Sequence, residues 1–304
     1  MEILKTNQLS KTYRRTKALD EVNLTIQKGD IYGFIGKNGA GKTTLIRVIA
    51  GIAEPTKGTF ALFGEAEPAK VVRARKRIAA VVESPALHLN LSAYDNLKLQ
   101  CILLGIKERH DQVIEHVLKK VDLTKLLVER KKKAKNFSLG MRQRLGIAMA
   151  LIGNPEFLIL DEPNNGLDPE GIRDLRNLLI KLNQEEGLTM LISSHMLTEL
   201  AKLATRYGFI DKGKLLREIT VEQLQRESRQ ATVLNLASDR LKVSDLSELG
   251  LKDFDLQGKT LRVYGQQPLQ TYLNAFIKYQ IELVSMNKET DDLEAFFMKM
   301  IGAK

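Results

Sequence analysis

The octapeptide Gly36–Thr43, "GKNGAGKT", restricts the fold of this chain more than any other stretch. It fits the pattern G-x-x-x-x-G-K-[ST]. It follows "GDIYGFIG", an apolar run that reads as a strand ending in a glycine turn, and it opens "KTTLIRVIAGI", whose apolar residues recur at helical spacing. A loop in that context needs small residues, because its backbone N–H groups must wrap phosphate oxygens at a helix N-terminus. Gly36, Asn38, Gly39 and Gly41 would form the wrap, and Thr44 would extend it into the first helical turn. Lys42 would reach the β- and γ-phosphates as a mobile cation, and the Thr43 hydroxyl would ligate Mg²⁺.

The residues around this loop predict an α/β fold with parallel strands. Short β-branched runs alternate with helical patterns over roughly the first 216 residues. "GTFALFG" is a short strand between glycines, as in an outer antiparallel layer, and Ser92 to Leu127 reads as a helical insert. "FLILDEP" sets Asp161 at the end of an apolar strand, where a carboxylate can hold Mg²⁺ beside the phosphate loop. Glu162 follows immediately and is placed to orient and polarise an attacking water. A solvated acidic turn is the plainer alternative for this pair. "AAVVESP" raises a similar choice, since Glu83 could be the polar end of a buried strand turned toward water.

Composition narrows the class. A chain of 304 residues with 43% apolar content can bury a real core, as one large domain or two ordinary ones. Its longest apolar runs fall far short of the ~18 residues of a membrane span, and "MEILKTNQLSK" lacks the apolar core of a signal peptide. A cytosolic protein is the expectation. The single cysteine, Cys101, excludes an internal disulfide framework and a cysteine-cluster metal site. A formal charge of +10 would suit nucleic acid or the anionic face of a membrane, although low aromatic content and the absence of tryptophan argue against base stacking. The densest basic run, "RKKKAK" from Arg130 to Lys135, reads either as a solvated loop or as a phosphate- or lipid-facing patch.

From Glu218 the composition shifts toward Gln, Arg and Glu, and "TVEQLQRESRQ" reads as a helix leading out of the first domain, with a linker over 217–230. Residues 231–304 then alternate "ATVLNLAS", "KDFDLQ", "TLRVYG" and "IELVSMN", four strands, with helical "SDLSELG" and "LQTYLNAFIKY" between them and "TDDLEAFFMKMIG" after. The order predicts a small α+β domain without a catalytic constellation.

"NFSLGMRQR", Asn136 to Arg144, completes a set that resembles the nucleotide-binding subunit of an ABC transporter over residues 1–216. The resemblance implies a P-loop NTPase fold with a RecA-like parallel core, an antiparallel β layer and a helical subdomain at about 90–135. It implies ATP and Mg²⁺ as cofactors and ATP hydrolysis coupled to transport as the activity. Ser138 and Gly140 take the positions that meet the γ-phosphate of ATP held by another subunit, while Leu139 and Met141 replace a glycine and the glutamine of the usual L-S-G-G-Q. "NNGLDP" resembles the D-loop, with Asp168 at the subunit interface, "ISSH" the switch histidine, His195, as γ-phosphate sensor, and Tyr13 the aromatic that stacks on adenine. Glu83 occupies the place of a glutamine that touches Mg²⁺ and the water.

Because the family's site is composite and this chain has one phosphate loop, the resemblance implies a homodimer. It also implies separate transmembrane permease subunits, a place at the cytoplasmic face of the membrane and no nucleic-acid partner. Glu83, "FSLGMRQRLGIAMAL" and the extra C-terminal domain resemble the exporters by which Gram-positive bacteria protect themselves from bacitracin or lantibiotics. The alternatives are another exporter of the drug-efflux class, a soluble ABC-type ATPase acting on ribosomes or DNA, and an assembly or sensory complex using the same motor.

Overall fold

The computed structural model describes residues 1–227, 230–239, 246, 253–264, 276–290 and 293–302. Two compact units divide the chain, Met1–Val221 and Glu222–Lys304.

The first unit is built on two sheets. β1 (Glu2–Tyr13), β2 (Thr16–Val22) and β3 (Thr25–Gln27) begin an antiparallel layer in which β1 is central. β4 (Ile31–Ile35) enters the second sheet and passes through the glycine loop into α1 (Lys42–Ala50), and β5 (Lys57–Leu62) returns to pair with β1. After α2 (Pro68–Ala74) and β6 (Ile78–Val81) come the helices of the insert, α3 (Ala93–Leu103), α4 (His110–Lys120), α5 (Lys125–Val128) and α6 (Leu139–Leu151). β7 (Phe157–Asp161), α7 (Pro169–Glu186), β8 (Thr189–Ser194), α8 (Leu197–Leu200), β9 (Arg206–Asp211) and β10 (Lys214–Thr220) complete the unit.

The core sheet runs β10-β9-β4-β8-β7-β6. Its five strands from β9 to β6 are parallel, and β10 closes one edge as an antiparallel hairpin partner of β9. Every residue of β4, β7 and β8 is buried, which is why their central residues read as continuous apolar runs without alternation: parallel strands are covered on both faces. β1, with one side solvated, mixes buried and exposed positions instead. One apolar core joins the two sheets through α1, whose Leu45, Ile46, Val48 and Ile49 pack with Leu4 and Phe60 of the outer layer and with Phe34, Phe157 and Leu191 of the core sheet. Cys101 is buried on α3, and burial pushes its thiol pKa up, as suits an inert packing residue.

The first unit continues past Leu216. Arg217–Thr220 extend β10 against Phe209–Arg206, and the helix α9 (Val221–Glu227) starts after them. Glu218 explains the difference: it opens a polar stretch of sequence, yet its Oε1 accepts from the buried Tyr32 hydroxyl at 2.9 Å and from Thr25 N at 3.1 Å. Burial, with this carboxylate beside it, raises the Tyr32 phenol well above its ordinary pKa.

The second unit holds an antiparallel sheet of β11 (Gln230–Leu236), β12 (Phe254–Gln257), β13 (Thr260–Tyr264) and β14 (Leu283–Thr290) in the order β12-β13-β11-β14. A helix, Leu293–Gly302, ends it. Leu234, Leu236, Leu261, Val263, Phe276 and Ile281 form its core. The helices expected in "SDLSELG" and "LQTYLNAFIKY" fall largely outside the described residues. No described helix is long and apolar enough to cross a membrane.

Candidate active site

The loops that follow β4, β7 and β8 converge beyond the carboxyl ends of the parallel strands, the place where open α/β sheets bind ligands. They line a cavity of about 560 Å³ that includes Asn38, Gly39, Lys42, Thr43, Glu162 and His195.

The glycines of the loop are required by backbone and space. Gly39 and Gly41 have φ of +80° and +113°, in the left-handed region. A Cβ on Gly41 would stand 2.5 Å from the Ala18 carbonyl oxygen, and one on Gly36 would stand 2.6 Å from that of Ile210. α1 starts at Gly41 with no side-chain cap and no acidic residue in its first turn, unlike α3 and α7, which Ser92 and Asp168 cap and which carry Asp95 and Glu170 there. Its first N–H groups and the positive end of its dipole are left facing the cavity for an anion.

Around that helix end the side chains interlock. Lys42 is buried, with Nζ donating to the Gly36 carbonyl at 2.6 Å and lying 3.1 Å from Glu162 Oε1. Glu162 Oε2 meets His195 Nδ1 at 2.7 Å and accepts from His195 N at 3.3 Å. Glu162 holds this position with φ +50°, an uncommon conformation for a residue with a side chain. The Thr43 hydroxyl donates to Asp161 Oδ2 at 2.8 Å, and the Ser193 hydroxyl donates to Asp161 Oδ1 at 2.5 Å. Ser193 Oγ also accepts from Glu162 N at 2.9 Å, so one buried hydroxyl on β8 ties both carboxylate-bearing residues to the neighbouring strand. Sequence reasoning passed over Ser193. Its signal is a hydroxyl directly after the apolar "MLI" of "TMLISS", in a buried strand where such a group needs a partner.

The structure thus brings Lys42, Thr43, Asp161, Glu162 and His195 into one cluster. Asn38, Gly39, Gly41 and Thr44 line the same cavity, whereas Tyr13, Glu83, Ser138, Gly140 and Asp168 lie outside its lining. Tyr13 ends β1 with an exposed ring, 5.0 Å from Lys11 Nζ, and its cross-strand partner Thr16 lines the cavity instead. Ser138 caps α6 by accepting from Met141 N at 3.2 Å. Gly140 is uncrowded, since the nearest atom to an added Cβ would be Leu167 Cδ2 at 3.8 Å. Asp168 caps α7 by accepting from Gly171 N at 2.9 Å. Glu83 is exposed at φ +63° and pairs with Arg47 of α1, a residue that sequence reasoning did not single out.

The family model described as ABC transporter matches residues 19–165. The bacitracin transport ATP-binding protein BcrA of Bacillus licheniformis is 41% identical over 304 residues, covering 99% of this chain and 97% of the relative. This chain belongs to the ABC transporter family. The lantibiotic transport ATP-binding protein SrtF of Streptococcus pyogenes is 44% identical over 216 residues, 71% of this chain and 90% of its own. Among solved structures, a dimeric post-hydrolysis ATP-binding cassette bound to ADP and phosphate is similar at 26% identity and a TM-score of 0.64, covering 72% of this chain and 98% of that one. The P-loop cassette fold and the capacity to bind and hydrolyse ATP follow from this membership.

Proposed function

We propose that this ABC ATPase is the motor subunit of an exporter that moves a peptide antibiotic of the bacitracin or lantibiotic type, working as a homodimer on separate membrane-spanning permease subunits at the cytoplasmic face of the membrane. The cluster Lys42–Glu162–His195 beside Thr43–Asp161 carries the motor part of this reading. The end-to-end likeness to BcrA, which takes in the second unit, supports the substrate class and favours the bacitracin type.

The donor set fits Mg²⁺ shared with a triphosphate. Among the described residues no cluster of three or more His, Cys, Asp or Glu could hold a metal unaided, and Mg²⁺ in nucleotide sites is bound through one or two protein oxygens plus phosphates. Thr43 Oγ1 and Asp161 Oδ2, 2.8 Å apart, are such a pair. When bound, the ion neutralises charge developing on the β- and γ-oxygens. The chain's own residues do the rest. The α1 amides and Lys42 hold the phosphates, and Lys42 turning to them releases Glu162 Oε1. That oxygen then takes a proton from the attacking water. His195, with Nδ1 against Glu162 Oε2, fixes the carboxylate, and the rest of its ring faces the cavity as a sensor of the γ-phosphate.

The dimer is supported by what the cavity lacks. Ser138, Gly140 and Asp168 stand outside it, and a matching cassette was solved as a dimer. An apolar groove of about 370 Å³ between β6 and α6, with Ile52, Pro85, Leu104 and Gly146 in its lining, supports a permease contact next to Glu83. ATPase rate against protein concentration tests the composite site: it should rise more steeply than linearly, or require the permease. Full specific activity in a dilute, stable monomer would overturn it.

A further inference from the structure

The basic run Arg130–Lys135 plays no part in the site above, and the structure gives it a setting. Its backbone is pinned to the segment before α3, with Ala134 N donating to Leu91 O at 2.8 Å and Lys135 N to Leu89 O at 2.9 Å. The pairing gathers two kinds of side chain on one corner of the helical insert. Residues 125–135 carry six cations and one carboxylate, Glu129. Glu129 is already engaged by Lys132 at 3.0 Å, and the Arg130 guanidinium lies 4.9 Å over the Tyr94 ring, whose hydroxyl donates to Asp111. Lys131, Lys133 and Lys135 are exposed and form no ion pair with a described residue. Among these charges stand three exposed apolar side chains: Leu89 at 44%, Leu91 at 37% and Val128 at 88% exposure.

We propose that this corner binds the surface of an anionic bilayer directly, with the lysines over phosphate headgroups and Val128, Leu89 and Leu91 entering the headgroup boundary. Charge complementarity selects the partner. An anionic leaflet attracts each nearby Lys or Arg by about 1 kcal/mol within roughly a Debye length, and apolar side chains interleaved with cations suit shallow insertion at an interface. Nucleic acid would have no use for exposed Leu and Val, since single strands are gripped by stacking on aromatic rings.

Flotation of the full chain with vesicles of phosphatidylcholine, with and without phosphatidylglycerol, tests the proposal. Binding should require the anionic lipid and weaken with salt. Lys131→Gln with Lys133→Gln should lower the partition coefficient about 25-fold, which is about fivefold per lost charge. Val128→Ser keeps the charge and should lower binding several-fold with unchanged thermal unfolding. Equal binding to pure phosphatidylcholine would overturn the proposal. So would an unaffected double variant, or displacement by polyglutamate or duplex DNA combined with no effect of Val128→Ser, which would point to an acidic macromolecule instead.

Discussion

Two glutamates follow neighbouring strands of the core sheet, and each meets a cation of the same helix. Glu162 comes directly after β7 and pairs with Lys42 at the start of α1, and Glu83 comes two residues after β6 and pairs with Arg47 one turn further on. Both sit in the left-handed region, at φ +50° and +63°. Their surroundings separate them. The Glu162 side chain is 15% exposed and has His195 as a second partner, whereas the Glu83 side chain is 64% exposed and has Arg47 alone among the described residues. A screened, solvated pair contributes about 0–1 kcal/mol and opens readily. A carboxylate wedged between a buried lysine and a histidine is held in place before substrate arrives. The same local backbone therefore yields a preorganised group at one strand end and a releasable one at the next.

The largest effect should come from the preorganised member. Glu162→Gln keeps the size and loses the base, so ATP turnover should fall by about 10²–10⁴-fold while nucleotide binding, read by fluorescence of a labelled ATP, persists. Loss of binding together with turnover would break the contrast, because it would make Glu162 mainly a counter-charge that positions Lys42.

Ser193→Ala acts one step further out. Removing the hydroxyl that orients Asp161 Oδ1 should raise the Mg²⁺ concentration needed for half-maximal ATPase by about 10–100-fold, as loss of an outer partner of a metal ligand commonly does. An unchanged Mg²⁺ dependence would show that Asp161 is fixed by Thr43 alone.

Much of this site could be read directly in the chain, and the reason is local. The loop Gly36–Thr43 demands its own residue types at consecutive positions, and β4, β7 and β8 announce themselves because burial on both faces leaves no polar alternation. The contacts that separate the two glutamates were invisible, since Lys42–Glu162, His195–Glu162 and Arg47–Glu83 join segments distant in sequence, and no periodicity encodes them. Glu218 misled for the same reason: a polar residue next to a compositional shift became an acceptor for Tyr32, 186 residues away. Ser138 and Asp168 show the reverse, serving as helix caps that sequence spacing alone could suggest.

A smaller effect separates capping from interface duty at Asp168. Asp168→Ala should lower stability by about 0.5–2 kcal/mol through loss of the α7 cap, measured by denaturant unfolding, while Asp168→Asn keeps an acceptor and should restore it. ATPase that stays low in the Asn variant would assign the charge itself to the dimer. Recovery of both properties would leave Asp168 a cap.

The smallest effect belongs to the releasable glutamate and bears most directly on the contrast. Glu83→Gln removes a charge paired with Arg47 at a solvated site, so unfolding should move by no more than about 1 kcal/mol. If Glu83 leaves Arg47 to offer an oxygen to Mg²⁺ or the water, it adds a negative charge there that glutamine would not, and its usefulness then depends on the ion. Glu83→Gln should therefore flatten the Mg²⁺ dependence of ATPase by a few-fold. Arg47→Ala, which unpairs the same carboxylate without deleting it, should steepen that dependence. Opposite shifts from two variants of one ion pair cannot arise from loss of the pair itself, which both share. Identical shifts would mean that the pair is structural and that Glu83 does not approach the nucleotide.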